Sequence, residues 1–236
     1  MDLKETGRVD PNKFWYYVYK GNFIVEQTLR IKKDINILFD VGAGSGYFAS
    51  KFKDFNPKIE AFCIDPFYSQ SDLGKKNGMN FVLKSPKDRA DTLLFIDVLE
   101  HVEDDAILLK EYLDKSTEGA LFIISVPAFQ SLWSNHDIYL EHFRRYRIQD
   151  LRNLLNKVGL EEVHSSYIFG SLFPLIWLIR QFRKRINSRE VDSDLKQGSR
   201  ITNMILLAVL KCEKFLLVNK FFGTSALIIA KKTSAN

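Results

Sequence analysis

Short apolar runs alternate with amphipathic stretches along the middle of the chain, from about residue 35 to residue 160. The runs are dense in β-branched and aromatic residues and have turn residues at their ends, a pattern typical of buried strands. They cover 35–41, 58–65, 79–85, 91–98 and 120–127. The stretches between and after them predict helices over 46–55, 68–77, 103–115 and 148–160. Nearly continuous apolar strands that alternate with helices indicate a parallel sheet covered by helices on both faces.

The two ends of the chain add elements around this core. The pattern predicts an aromatic-rich helix at the start, one more strand at 161–171, and two helices joined by a polar linker, over 171–186 and 201–222. The expected fold is a Rossmann-like, doubly wound α/β domain whose mostly parallel sheet has seven strands. Its predicted parts within one domain, 1–236, are a cap helix (14–30), the core (35–170), a helical insertion (171–222) and a final strand (223–232).

Composition places the chain among ordinary globular proteins. With 236 residues, 46% hydrophobic and 27% charged, it fits one α/β domain, which excludes a disordered, collagen-like or coiled-coil chain. Cys63 and Cys212 are too few for a disulfide framework and lie in apolar runs, so we expect two buried thiols in a reducing compartment. The first residues contain no apolar segment of a secretory signal, which predicts a cytoplasmic location.

Positive charge is concentrated near the end of the chain. The net charge is +5, and residues 180–236 alone carry 12 Lys and Arg against 4 Asp and Glu. Basic residues beside long apolar stretches favour an anionic membrane surface at least as much as a nucleic acid. Segment 171–186 is shorter than the roughly 20 apolar residues of a membrane-spanning helix. We therefore expect this segment either to touch the inner face of a membrane peripherally or to roof the substrate pocket.

A glycine loop follows the first predicted strand. Its alternating glycines are Gly42, Gly44 and Gly46. Glycines at a strand-to-helix turn let the backbone approach a ligand, and the helix start offers unpaired N–H groups. Tyr47 occupies the place of the third glycine in a dinucleotide fingerprint. Asp40 at the strand tip favours an ammonium group over a pyrophosphate, and Asp65 after the second strand can accept hydrogen bonds from a ribose diol. Together these features predict a site for S-adenosylmethionine.

These motifs resemble those of the class I S-adenosylmethionine-dependent methyltransferases. Residues 40–46 match the first motif of that family, Asp65 matches the acid after its second strand, and residues 97–102 match the motif after its fourth strand. The resemblance covers about residues 10–170, and the aromatic N-terminal helix is similar to that of one subgroup. It implies cofactor contacts from Asp40, Gly42, Gly44, Gly46, Asp65, Pro66, Asp97 and Leu99.

Histidines indicate where an acceptor proton would be handled. The candidate bases are His101, His136 and His142. The last two lie in a loop, 133–146, that is dense in aromatic and charged residues and follows the fifth strand, where α/β folds form their binding crevice. We predict acceptor contacts from Trp15, Tyr139, Arg144, Arg145 and Tyr146. The alternative is that His101 is structural and that Arg145 and Tyr146 only cap the next helix and pair with nearby acids.

Two other classes of site are not expected. A metal held by Asp97, Glu100, His101 and His136 is rejected, because adjacent helical residues such as Glu100 and His101 do not face one point. A nucleic-acid substrate is also rejected. The chain lacks the Asn/Asp-Pro-Pro-aromatic motif that accompanies base-amine methylation, and it lacks a basic surface interleaved with aromatic residues.

The sequence therefore predicts transfer of a methyl group from S-adenosylmethionine to a small-molecule, glycan or lipid-linked acceptor, with oxygen as the expected acceptor atom. Two other functions stay open at this point. A nicotinamide-dependent oxidoreductase would share the doubly wound sheet, although Tyr47 counts against it. A non-catalytic protein of the same fold would bind the cofactor without turnover.

Overall fold

Among the residues that the structure describes, eight strands form one sheet. The computed structural model of the chain describes residues 7, 9–87, 89–186, 199–213 and 218–233. The strands are β1 (Ile37–Val41), β2 (Glu60–Ile64), β3 (Gly74–Lys76), β4 (Met79–Val82), β5 (Ala90–Ile96), β6 (Ser116–Pro127), β7 (Leu160–Ile168) and β8 (Ser225–Lys232). Their order is β3-β4-β2-β1-β5-β6-β8-β7. The strands from β4 to β6 are parallel, while β3 and β8 pair antiparallel with their neighbours. The predicted α/β class is confirmed.

The strand beyond the predicted seven lies at one edge of the sheet. It falls within 68–77, where the sequence predicted a helix, and that prediction is wrong. Asn77 and Gly78 have φ angles of 50° and 74°, so they form a tight turn that folds β3 back onto β4. Asn-Gly is the strongest short-range signal for such a hairpin, and its left-handed backbone explains why no helix forms there.

Helices cover both faces of the sheet as predicted. They are α1 (Trp15–Ile31), α2 (Tyr47–Phe55), α3 (Asp105–Leu113), α4 (Asn135–Tyr139), α5 (Ile148–Val158), α6 (Phe173–Ile186) and α7 (Arg200–Glu213). Short α4 was not predicted. The helix predicted over 201–222 is shorter, since α7 ends at Glu213 and a 3-10 turn follows at Val218–Lys220. Most of the predicted polar linker, 187–198, and residues 214–217 lie outside the described residues.

Each face of the sheet has its own apolar cluster. One cluster packs α1, α2 and α7 against the sheet, and the other packs α3 and α5. Successive residues of a strand contribute to opposite clusters. On β1, for example, Leu38 belongs to the first cluster and Phe39 to the second, and both are fully buried. Cys63 is buried in the first cluster, but Cys212 is exposed on α7. The prediction of a buried thiol is therefore wrong for Cys212, because its apolar run belongs to a helix with an exposed side.

Candidate active site

The strand order reverses between β1 and β5, and this is where the singled-out residues converge. β1 leads on to β2 and β4 on one side, whereas β5 leads on to β6 on the other. In open α/β sheets the crevice at such a switch point, at the carboxyl ends of the strands, is the usual ligand site. The glycine loop follows β1, Asp65 follows β2, Asp97 follows β5, and the histidine-bearing loop follows β6.

Tight packing explains two of the loop glycines. Gly42 has a φ of 67°, and a Cβ atom placed there would lie 2.6 Å from Cγ2 of Val98, in the segment after β5. Gly46 has a φ of 71°, and its Cβ would lie 2.9 Å from the ring of Phe81 on β4. Both positions therefore require glycine on steric grounds as well as for their left-handed backbone. The loop is pressed against two neighbouring strands, which fixes where its backbone meets a ligand.

Asp65 lies against the same loop. Its Oδ2 accepts a hydrogen bond from the Gly44 N–H at 3.1 Å, and its Oδ1 accepts one from the Phe67 N–H at 3.0 Å. The Tyr68 hydroxyl donates to the Gly44 carbonyl at 2.6 Å. Each carboxylate oxygen keeps a second lone pair, so Asp65 can still accept hydrogen bonds from a ribose. Pro66, beside it, is exposed at the rim.

Asp40 supports the loop from behind. Its side chain is buried, and Oδ2 accepts a hydrogen bond from the Ala49 N–H of α2 at 3.1 Å. Burial raises the pKa of the Asp40 carboxyl to about 6. One carboxylate oxygen is thus used within the chain, and the predicted contact of Asp40 with a cofactor ammonium stays a prediction. Leu99 is also fully buried, so its side chain belongs to the core and not to the crevice wall.

The loop fits an adenosyl cofactor in one further respect. The Ser45 hydroxyl is buried and has no hydrogen-bond partner in the described part of the chain. Buried polar groups are nearly always paired, so an unpaired one beside a glycine loop indicates a place where a ligand supplies the partner. Together with the carboxylate of Asp65 and the closely packed loop backbone, it makes the crevice chemically suited to S-adenosylmethionine.

An ion pair between the cap helix and the crevice was not anticipated from the sequence. Lys20 of α1 is fully buried, and its Nζ lies 2.6 Å from both carboxylate oxygens of Asp97. It also donates to the Tyr16 hydroxyl at 3.2 Å. Burial opposes the Lys20 charge, but attraction to Asp97 outweighs it and raises the pKa of Lys20. The sequence signal was a single lysine within an aromatic-rich helix, but it did not identify Asp97 as the partner.

The loop after β6 contains a buried carboxylate that orients one of the candidate bases. The Nδ1 atom of His142 lies 3.0 Å from Oδ1 of Asp137. Arg145 holds the same carboxylate with two donors, at 2.7 and 3.0 Å. Burial opposes the Asp137 charge, but hydrogen bonds from His142 and Arg145 outweigh it and lower its pKa. Asp137 is therefore a fixed anion, and the sequence did not distinguish it from its neighbours.

His142 and His101 come together in the structure. Their ring centroids are 4.6 Å apart in an edge-to-face arrangement. Glu100 lies beside them, fully buried, and neither of its carboxyl oxygens has a hydrogen-bond partner among the described residues. Burial, reinforced by the negative charge of Asp97, raises the pKa of Glu100 well above its ordinary value. His136 lies on α4 and is not part of this group.

The premise on which a metal was rejected does not hold. Residues Leu99–His101 form a 3-10 turn and not an α-helix. On this turn the potential ligand atoms of Glu100, His101 and His142 all lie within 4.8 Å of one another. The adjacent residues Glu100 and His101 therefore do approach one point, although a regular helix would direct them apart.

The predicted acceptor contacts divide into two groups. Arg145 and Tyr146 are buried, and their polar groups are used within the chain: Tyr146 donates to the Leu99 carbonyl and to Asp105, at 3.1 and 2.9 Å. Direct contact with an acceptor is therefore not supported for these two residues. Arg144 donates to the Glu103 carbonyl at 2.7 Å and keeps part of its surface exposed.

Trp15 and Tyr139 are half-buried, and for them the predicted role stays a prediction. Trp15 contacts Phe169 edge to face, with ring centroids 5.7 Å apart.

Comparisons with known proteins address the identity of the chain. A family model described as a methyltransferase domain matches residues 20–165, more than half of the chain. No curated protein matches. A chain in the complex of the Haloferax volcanii Trm112 methyltransferase activator with a methyltransferase is 14% identical, with a TM-score of 0.59 over 95% of this chain and 92% of that one.

Two further solved structures widen the comparison. Phosphoethanolamine N-methyltransferase 2 of Haemonchus contortus, in complex with S-adenosyl-L-methionine, is 13% identical, with a TM-score of 0.54 over 98% of this chain and 59% of that one. The [4+2]-cyclase SpnF is 15% identical, with a TM-score of 0.56 over 96% of this chain and 85% of that one. At such identities these likenesses concern the fold, and the family match decides the assignment. The chain belongs to the methyltransferase domain family and is an S-adenosylmethionine-dependent methyltransferase.

Proposed function

We propose that the enzyme methylates an oxygen atom of a small-molecule, glycan or lipid-linked acceptor, and that the His101–His142 pair activates the acceptor hydroxyl. The observation that carries this proposal is the buried contact of His142 with Asp137, 3.0 Å from Nδ1 to Oδ1, at the edge of the crevice. A hydroxyl is a weak nucleophile at neutral pH and needs help in losing its proton, whereas a neutral amine does not. A carboxylate-oriented imidazole is suited to that task.

The chain's own residues position the reactants. When bound, S-adenosylmethionine supplies a methyl group on a sulfonium centre, which is an intrinsically good leaving group. The glycine loop and Asp65 would hold the cofactor, and the ion pair of Lys20 with Asp97 closes the crevice on the side of α1. Transfer needs the acceptor oxygen in line, about 3 Å from the methyl carbon, with water excluded. The loop after β6 is tied to the segment after β5 by Tyr146 and Arg144, which makes this edge rigid.

The surface next to the crevice favours an acceptor of lipid character. α6 lies on the 3-10 turn that begins the loop after β6, where Arg180 donates to the Leu132 carbonyl and Gln181 to the Ser131 carbonyl. Its exposed apolar side chains are Leu175, Trp177, Leu178, Ile179 and Phe182. Contiguous exposed apolar side chains are uncommon unless they contact a partner or a membrane. No helix within the described ranges is both long and apolar enough to cross a bilayer. We therefore propose that α6 rests on a lipid surface.

Methyl transfer itself is tested with a variant of His142. The enzyme is incubated with methyl-tritiated S-adenosylmethionine and separate lipid and aqueous extracts, and the labelled product is located by mass spectrometry. We expect an O-methylated product, and His142→Ala should lower turnover by about 10²–10⁴-fold while the calorimetric affinity for the cofactor stays unchanged. His164→Ala is the matched control, because His164 lies on β7, away from the crevice. Methyl groups found only on nitrogen or carbon, or equal turnover of the two variants, would contradict the proposal.

A further inference from the structure

Glu100 is a fully buried acid in the segment after β5. Its side chain is fully buried, and neither carboxyl oxygen has a hydrogen-bond partner in the described part of the chain. Placing a carboxyl group in such a position is unfavourable unless something compensates it. Lys20 and Arg145 are the nearby cations, but they pair with Asp97 and Asp137 instead. The methyl-transfer scheme given above assigns no task to Glu100, so its place in the molecule requires another explanation.

Two imidazoles face the same point as this carboxyl group. The potential ligand atoms of Glu100, His101 and His142 lie within 4.8 Å of one another. Ligand atoms of a tetrahedral ion with bonds of about 2.1 Å stand about 3.4 Å apart, so side-chain rotations that draw the three atoms closer together would bring them to ligand distance. The 3-10 turn Leu99–His101 supplies two of the ligands, and the loop after β6 supplies the third. Such ligand sets, drawn from separate segments, are typical of catalytic metal sites with open positions.

The surroundings of His142 are those of a metal-ligating histidine. Its Nδ1 lies 3.0 Å from Asp137, which leaves Nε2 as the ring nitrogen for a ligand bond. Arg145 fixes Asp137 with two donors, at 2.7 and 3.0 Å. A carboxylate that receives the other N–H group of a histidine fixes its tautomer and orientation and increases its strength as a ligand. If His142 binds a cation, the buried contacts of Arg145 with Asp137 and of Asp137 with His142 would orient the ligand.

We propose that Glu100, His101 and His142 bind a divalent first-row transition cation of the Zn²⁺ and Co²⁺ class. One carboxylate and two imidazoles favour these ions over Mg²⁺ and Ca²⁺, which prefer oxygen ligands. Three protein ligands leave positions open for the acceptor oxygen. The cation also compensates the buried charge of Glu100.

The role of the cation in catalysis rests on the proposed O-methyl transfer. A bound cation lowers the pKa of a hydroxyl at its open position, as it does for bound water. The acceptor hydroxyl then loses its proton to solvent. A lone pair of the resulting oxygen forms the new bond to the methyl carbon, and the electron pair of the carbon–sulfur bond stays on sulfur, leaving a neutral thioether. In this scheme His101 and His142 activate the acceptor by holding the cation, and neither imidazole takes the proton itself.

Metal binding is tested on the full chain without any acceptor. The protein is stripped with a chelator and titrated calorimetrically with Zn²⁺, Co²⁺ and Mg²⁺. The titration uses a Cys212→Ser background, because Cys212 is exposed and thiolates are good zinc ligands. We expect one Zn²⁺ or Co²⁺ per chain, with Mg²⁺ at least about 10²-fold weaker. Glu100→Gln should weaken Zn²⁺ binding by about 10²-fold or more, and Glu103→Gln, three residues away and exposed, should leave it unchanged.

Several results would overturn the site. Absence of stoichiometric Zn²⁺ binding to the stripped chain would do so directly, as would equal affinities of the two glutamine variants. Glu100→Gln removes no hydrogen bond of the described chain, and its circular dichroism and melting temperature verify that it folds. A Co²⁺ spectrum gives a second measurement, because loss of the visible bands in His142→Ala identifies that ring as a ligand.

The same preparations separate failure of the site from failure of the proposed function. Cation binding without any O-methylated product would retain the site and refute O-methyl transfer. Conversely, O-methylation at an undiminished rate by the stripped enzyme would retain the function and refute the role of the cation.

Discussion

Asp40 ends the first strand with a carboxyl group that solvent barely reaches. Burial raises its pKa from 3.8 to about 6, so the folded state holds the proton more tightly than the unfolded chain does. The resulting contribution to stability is fully present below the unfolded pKa, near pH 4, and is lost as the pH rises through about 6. At pH 7 the ionised carboxyl therefore destabilises the free protein, by about 3 kcal/mol at most.

Replacing Asp40 by Asn removes this pH dependence. The amide oxygen can still accept the Ala49 hydrogen bond, but it does not ionise. Melting temperatures of cofactor-free wild type and Asp40→Asn should coincide below pH 4 and diverge above pH 5, with the variant the more stable at pH 7. Asp54→Asn, which removes a mostly exposed carboxyl group from α2, provides the control for loss of a negative charge. A constant offset for Asp40→Asn would show that folding does not shift the pKa of Asp40.

Some functional residues could be predicted from the sequence, and others could not. The glycine loop and Asp65 could be placed because their types and spacing are set by local strand-to-helix geometry. Lys20 and Asp137 could not be placed in this way. Lys20 pairs with an acid 77 residues away, and Asp137 pairs with residues 5 and 8 positions away. Tertiary packing decides whether such partners meet. Arg145 was predicted to contact the acceptor or to pair with a nearby acid, and it binds the carboxylate of Asp137 in the same loop.

At the scale of elements, the glycine loop and the segment after β5 form one packed unit. Gly42→Ala would place a methyl group 2.6 Å from Val98 Cγ2, so the loop must shift. We expect Gly42→Ala to raise the dissociation constant for S-adenosylmethionine at least about tenfold, because the displaced loop must return before it binds. The double variant with Val98→Ala should recover most of this loss. A left-handed alanine still costs about 1–2 kcal/mol, so recovery will be incomplete.

Calorimetric titration of the two single variants and the double variant measures the coupling. Val98→Ala alone should change the cofactor affinity little, since Val98 is only half-buried. Additive effects of the two substitutions would mean that the loop and Val98 act independently and that the packed unit has no bearing on cofactor binding.

Elements were predicted well where one interaction dominates. The buried strands and the long helices follow from apolar periodicity, because burial of one face or both decides their structure. The edge strand β3 is fully exposed, so periodicity carried no information about it, and the Asn77-Gly78 turn decided its structure. Helix α4 is a single short turn of helix stabilised by Ser134 and Asp137 within a polar loop, too short to have a periodic pattern.

For the whole molecule, charge and apolar surface are distributed unevenly. Residues 180–236 carry 12 Lys and Arg against 4 Asp and Glu. Exposed apolar side chains of α7, at Ile201, Met204, Ile205 and Val209, add to those of α6. An apolar helix surface in a strongly basic part of the chain has the two properties that hold a protein on an anionic bilayer. Since α6 is bound to the turn at Gln130–Leu132, such a bilayer would lie next to the acceptor side of the crevice.

Vesicle binding tests this arrangement. We expect the enzyme to sediment with vesicles of phosphatidylglycerol and phosphatidylcholine but weakly with phosphatidylcholine alone, and high salt should reduce the binding, because the electrostatic part is screened. Phe182→Ser should weaken binding by about 10- to 100-fold, since burying a Phe side chain contributes about 1.5–3 kcal/mol. Phe55→Ser is the matched control: Phe55, at the end of α2, is 53% exposed and Phe182 is 54% exposed. If both variants bind as the wild type does, α6 does not enter the lipid, and its apolar side chains must serve an acceptor or a protein partner instead.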